Sequence, residues 1–146
     1  MSGAETVQVV LGSWDELAER AAPIRFRVFV DEQGVPMEME LDEFDPLSCH
    51  ALALLGEHVV GTGRLLPDGH IGRMAVDAEW RGQGVGAALL GALIDEAGRR
   101  HVSVLALSAQ THALGFYTRF GFVPVGSEYE EAGLPHQAME RRLVAD

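Results

Sequence analysis

The residues best suited to chemistry are gathered in the stretch WRGQGVGAALL, from Trp80 to Leu90. Glycines packed this densely let a backbone approach a ligand closely and take positive φ without steric cost. The unpaired N–H groups and positive dipole of the helix that follows favour an anion, a phosphate above all. Arg81 sets a guanidinium at the loop edge, suited to a charge-assisted contact. Two glycine patterns overlap here. From Gly82 the loop reads GxGxxA, near the dinucleotide fingerprint; from Arg81 it reads RxxGxG, through Gly84 and Gly86. The dinucleotide reading requires a carboxylate roughly 20 residues on, at the end of the next strand. Leu105 to Gln110, LALSAQ, contains none. A nucleoside-triphosphate loop fails too, because no Gly-Lys-Ser/Thr is present. Arg81-x-x-Gly84-x-Gly86 is the pattern that survives.

Other candidates lie elsewhere in the chain. Residues 31–45, DEQGVPMEMELDEFD, carry seven carboxylates and no basic residue. Such a run is usually a solvated face, yet between a first helix and a meander it suits an acceptor-binding lip for a cationic amine. The single Cys49 excludes an intramolecular disulfide. Its neighbour His50 makes no catalytic pair with it, because adjacent strand residues point to opposite faces. His50, His58, His70 and His101 show no metal-ligand spacing, so a structural or surface role is expected for each and no metal is expected. Every one of the 11 basic residues is Arg, which removes lysine Schiff-base chemistry. A net charge of −11 argues against nucleic acid as a partner. The start, MSGAETVQVV, lacks a basic segment before a long apolar run, and no apolar run reaches transmembrane length. A cytoplasmic protein without a membrane partner is expected.

The elements that must position these groups follow from pattern. Thr6 to Leu11 reads as a first strand, and Ser13 with Glu16 as a capping box. Leu17, Ala21, Ile24 and Val28 recur at helical spacing, with Pro23 expected to split the helix into two pieces. Strands are expected at His50–Leu55, His58–Leu66 and His70–Val76, joined by the turn signals Gly56-Glu57 and Pro67-Asp68-Gly69. Gly84 to Arg100 reads as a helix with Val85, Leu89, Leu93 and Ala97 on its buried face. Val102 to Ala109 fits a strand buried on both faces. Strand, helix and strand then make a βαβ unit with parallel pairing. A helix over Thr111 to Phe120 and a hairpin of Phe122–Glu128 with Gln137–Leu143 complete the chain. The expected architecture is mixed α/β, a single domain over residues 1–146: a central mixed sheet of antiparallel meander plus one parallel βαβ unit, flanked by helices.

Together these motifs resemble a known family. IGRMAVDAEWRGQGVGAALL, from Ile71, is similar to the cofactor motif of the GNAT superfamily of acetyl-coenzyme A-dependent N-acyltransferases, whose R/Q-x-x-G-x-G/A falls on Arg81, Gly84 and Gly86. AQTHALGFYTRFGF resembles its second segment at Ala113, Tyr117 and Gly121-Phe122. IRFRVFVDEQGVP, GTGRL and HQAME resemble one subgroup of small bacterial members. The resemblance implies a GNAT fold and acetyl-coenzyme A as cofactor. Its pyrophosphate would sit on the amides of Arg81, Gly82, Gln83, Gly84, Val85, Gly86 and Ala87. Its pantetheine would pair like a strand with Met74, Ala75 and Val76, in a splay against strand 102–109. The thioester carbonyl would receive an N–H near Val76. Many members carry Asn where this chain has Gln110, so that pantetheine contact is altered by one methylene.

Direct transfer to an amine needs a base for the ammonium and an acid for the thiolate. The resemblance assigns the acid to Tyr117. Glu32, Glu38, Glu40, His112 and His136 all qualify by type as the base, with Glu40 and His136 the foremost alternatives. The implied activity is acetyl transfer to a primary amine, on a small molecule or peptide, through a tetrahedral intermediate. A non-catalytic acyl-coenzyme A sensor and a nucleotide-binding regulatory domain are the alternatives. Family members are often homodimers.

Overall fold

The computed structural model describes residues 6–143, so the amino-terminal stretch through residue 5 lies outside the described residues. So do the side chains of Glu38 and Met39. Four antiparallel strands form the first sheet in chain order: β1 (Gln8–Gly12), β2 (Cys49–Leu55), β3 (His58–Leu65) and β4 (Ile71–Val76). The second sheet has β5 (Val104–Gln110) beside β8 (Leu134–Arg142), with β6 (Val123–Pro124) and β7 (Tyr129–Glu131) also paired to β8. Helix α3 (Val85–Arg99) packs Val85, Leu89, Leu90, Leu93, Ile94 and Ala97 into the main core against Ala51, Ala53 and Val60. The four positions expected from helical spacing are among them. Helix α1 (Trp14–Arg25) covers the opposite face of the meander, burying Leu17 and Ala21 against Leu52 and Ile24 against Ala75.

The capping box forms as read: Ser13 Oγ accepts from Glu16 N, and Glu16 accepts from Ser13 N at 2.8 Å. Five other expectations are corrected. Helix α1 runs through Pro23, and its geometry changes only after Arg25, to π-helix over Phe26–Glu32. One missing N–H costs a single rung, and the Phe26 N–H still reaches the Ala22 and Pro23 carbonyls. Strand β5 is buried on one face only, alternating along its length. The parallel pairing of β4 and β5 shrinks to one bridge, His70–Ala106, beyond which the two strands diverge into separate sheets. Thr111–Ala113 is a 3-10 turn leading into α4 (Leu114–Arg119). Finally, of the expected strand Phe122–Glu128 only Val123–Pro124 pairs with β8; the hairpin strand is Tyr129–Glu131, turning at Ala132-Gly133, both at positive φ. No described helix is long and apolar enough to cross a membrane.

A β-bulge breaks the meander where it faces β5. Arg64 pairs with Gly72 and Thr62 with Ala75, so Gly63 opposes both Arg73 and Met74. Arg73 takes φ +48°, and a Cβ on Gly63 would lie 2.6 Å from Met74 Sδ. Glycine in GTGRL thus gives the Met74 side chain of the bulge room to lie across it.

Candidate active site

The divergence of β4 from β5 opens a cavity of about 460 Å³. Gly72, Arg73 and Met74 line it from β4, and Leu107, Ser108 and Gln110 from β5. Tyr117 enters from α4, His136 and Leu134 from β8, Glu131 and Ala132 from the hairpin, and Phe29 and Gln33 from the π-helix and its end. Among the described residues no strand ladder runs along the edge of β4 toward this gap, beyond the bridge at His70. The Asp77 N–H donates to Val60 O at 3.0 Å, which makes Gly61–Val76 a non-hydrogen-bonded pair. Both main-chain groups of Val76 therefore point away from β3; the carbonyl accepts from Arg81 Nε at 2.9 Å, and the N–H is left toward the gap. Ala75 instead buries its side chain under α1, with Ile24 and Val28.

The glycine loop follows a short 3-10 turn, Ala78–Trp80, and lies beyond the cavity rather than in its lining. Gly82 has φ +78° and Gly84 φ +84°, both left-handed, and Gly84 caps α3. The Ala88 N–H donates to Gly84 O at 3.0 Å, closing the first helical turn. The amides of Val85, Gly86 and Ala87 precede that rung, so no earlier turn of α3 exists to accept from them. Open space beside Gly82 and Gly84 leaves the loop accessible to an anion. Arg81 does not lean over it. Its guanidinium grips Glu32 through both Nη atoms, at 2.5 and 2.7 Å.

Around the cavity the ionisable groups divide sharply. Burial pushes the Tyr117 phenol up to about 12, so it stays protonated at neutral pH. Its ring meets Phe116 and Phe122 edge-on, and its hydroxyl has no hydrogen-bond partner among the described residues. His136 is 6% exposed and stacks on Tyr129, whose hydroxyl pairs with Ser108. A carbonyl can only accept, so the 2.8 Å contact with Leu134 O places a proton on His136 Nδ1. In the neutral ring Nε2 then carries the lone pair, with the Glu131 carboxylate 3.9 Å away. His112 Nε2 meets Gln110 Oε1, and Gln110 donates to Gln33 Oε1, both at 2.8 Å.

Only part of the acidic segment is a solvated face: Asp31, Glu32 and Glu43 are exposed. Glu40 and Asp45 are buried, and both are held by Arg25, which is 1% exposed. Arg25 donates to Glu40 Oε1 at 2.6 Å and Asp45 Oδ1 at 2.7 Å, and its face lies 5.0 Å from the Trp14 ring. Arg64 joins Asp42 and Asp45 at 2.7 and 2.8 Å, and Arg73 joins Asp42 and the Glu40 carbonyl at 3.1 Å. Three guanidinium groups thus answer three carboxylates. Glu40 borders the cavity, but its two oxygens are committed to Arg25. The structure thus gathers Tyr117, His136, Met74, Gln110 and Glu40 around one space, with Val76 and loop 81–87 beside it. Glu131, Arg73 and Phe29 went unsingled in the sequence; only the motif neighbours of His136 and the bulge glycine hinted at them.

Known proteins share this fold. The model of the acetyltransferase (GNAT) domain matches residues 17–143. YjcF of Bacillus subtilis, named as an uncharacterized N-acetyltransferase, is 36% identical over 137 residues, covering 91% of this chain and 98% of its own length. Protein ElaA of Escherichia coli is 32% identical over 129 residues, 83% of this chain and 84% of its own. The crystal structure of an acyl-CoA N-acyltransferase from Pseudomonas aeruginosa superposes with a TM-score of 0.84 at 30% identity, covering 93% of this chain and 99% of that one. A fold that uses acyl-CoA, a glycine loop after a bulged β4 and a match across residues 17–143 lead to one conclusion: the chain belongs to the GNAT family of acetyltransferases.

Proposed function

We propose that the protein transfers the acetyl group of acetyl-coenzyme A to a primary amine by direct attack. The observation that carries this reading is the cavity between β4 and β5, where a protonated Tyr117 and a His136 with a free Nε2 both face the unpaired edge of β4. The residues fit an acyl-coenzyme A. Loop 81–87 offers backbone N–H groups to a pyrophosphate, and the open edge of β4 offers strand-like pairing to a pantetheine arm. The Val76 N–H is positioned to stabilise negative charge on the thioester oxygen. Gln110 would reach the same arm from β5.

His136 is the better base. Its Nε2 lone pair can take a proton from the acceptor ammonium, and Glu131 stabilises the imidazolium that forms. Glu40 would have to surrender its bond to Arg25 first. Tyr117 would protonate the departing thiolate. One carboxylate at the mouth, Glu131, suits a cationic acceptor, whether small molecule or peptide. Release of free thiol from acetyl-coenzyme A, measured across a panel of amines, tests the reading. Amine-dependent release is expected; tight cofactor binding with no release from any amine would favour an acyl-coenzyme A sensor instead.

A further inference from the structure

Strands β4 and β5 are joined at one end only. The His70–Ala106 bridge and the Ala106 N–H donating to Gly69 O at 3.1 Å hold their starts together. Past that point no strand ladder connects them among the described residues. The open end is spanned instead by two consecutive residues at the end of the π-helix. Glu32 binds Arg81 by two hydrogen bonds, and Arg81 holds the last carbonyl of β4. Gln33 accepts from Gln110, the last residue of β5. Arg27 fixes the same π-helix to Asp77, just past β4, at 3.0 and 2.8 Å.

We propose that Glu32 and Gln33 are positioning residues that strap the open ends of β4 and β5 together, setting the width of the slot that grips the pantetheine arm. The inference rests on the acyl-coenzyme A reading above. Adjacent Cα atoms are about 3.8 Å apart, so with each side chain tied to a different strand the span is fixed within narrow limits. The charges already balance: Arg27 and Arg81 face Asp77 and Glu32. Arg81 is therefore engaged as a tether, and the pyrophosphate is left to the backbone N–H groups of the loop.

The strap makes a prediction that separates the two halves of the cofactor. Full-length protein and its Glu32→Ala, Gln33→Ala and Glu32→Gln variants are titrated calorimetrically with coenzyme A and with 3′-phospho-ADP, which lacks pantetheine. Each alanine variant should bind coenzyme A roughly 3- to 10-fold more weakly, the scale of one or two net hydrogen bonds. Affinity for 3′-phospho-ADP should change less than about twofold, and Glu32→Gln, whose Oε1 can still accept from Arg81, should keep most of the coenzyme A affinity that Glu32→Ala loses. Equal losses for both ligands, no loss for either, or tighter binding by Glu32→Ala would each overturn the strap. Loss of folding in both alanine variants would overturn it too, showing a structural brace instead. Wild-type protein that binds neither ligand would remove the acyl-coenzyme A reading itself, and the strap with it.

Discussion

Arg25 is the residue whose loss the fold should tolerate least. It is buried and donates five hydrogen bonds: two to the Glu40 carboxylate, one to the Glu40 carbonyl and two to the Asp45 carboxylate. Desolvation opposes its charge, and the bonds to Asp45 and Glu40 outweigh that opposition, raising its pKa further. In Arg25→Met, Asp45 keeps Arg64, but the buried Glu40 carboxylate loses both hydrogen bonds from its cation. Removing one partner of a buried pair costs about 3–5 kcal/mol. For a chain of this size each kcal/mol moves the melting temperature by roughly 2–4 °C, so a fall on the order of 10–15 °C is expected. Thermal unfolding followed by circular dichroism measures it. The double variant Arg25→Met/Glu40→Met restores balance, with Arg64 and Arg73 against Asp42 and Asp45, and should recover most of the loss because apolar replacements of buried pairs are often neutral. A single variant melting within about 2 °C of wild type, against the predicted drop, would refute the reasoning. Glu40→Gln tests the same network from the catalytic side: with His136 as the proposed base and Glu40 bound to Arg25, it should lower stability while keeping most of kcat.

Other outcomes follow from the site. His136→Gln should lower kcat by roughly 10²–10⁴-fold with little change in KM for acetyl-coenzyme A, and unchanged turnover in steady-state kinetics would exclude His136 as the base. Tyr117→Phe should lower kcat by roughly 10²-fold or more while leaving cofactor affinity intact, as read by turnover and calorimetry together. Gly84→Ala forces a side chain into φ +84° at a strain of roughly 1–2 kcal/mol, and should weaken coenzyme A binding by a comparable amount. Stability should also fall in acid. Burial holds the His50 imidazole below its ordinary 6.5, so its contribution is present above pH 6.5 and is lost as pH drops through the lower folded value. Asp45 adds a second step below 3.8: burial opposes its charge, but Arg25 and Arg64 prevail and lower its pKa. Urea midpoints measured from pH 7 to pH 3 should decline accordingly, and a flat profile would contradict both assignments.

What could be read beforehand was local or periodic. Helix α3 announces itself through Val85, Leu89, Leu93 and Ala97, and α1 through Ser13 and Glu16, because those contacts lie within a turn or two. The meander follows from turn residues between short apolar runs. The loop glycines were legible because left-handed φ admits few other residues. The burial of Glu40 and Asp45 was not legible since their partners are far away in the chain: Arg25 is 15 residues from Glu40, and Arg64 is 19 from Asp45. No window of sequence contains both charges. The strap is hidden for the same reason, with Glu32 separated from Arg81 by 49 positions and Gln33 from Gln110 by 77. Parallel pairing of β4 with β5 was over-read because the βαβ rule fixes the hand of the crossover and not how far the ladder runs; here a single bridge joins β5 to the start of β4, and the full ladder of β5 runs with β8.

The central claim is that the unpaired edge of β4 and the loop after it receive an acyl-coenzyme A. Backbone amide chemical shifts of the labelled protein, followed by NMR during titration with acetyl-coenzyme A, test it most directly. The account predicts that the largest shifts fall on Val76 and on Gly82 to Ala87, and that NAD and ATP at the same concentrations leave those amides in place. Shifts confined to other regions, or an equal response to NAD, would contradict it.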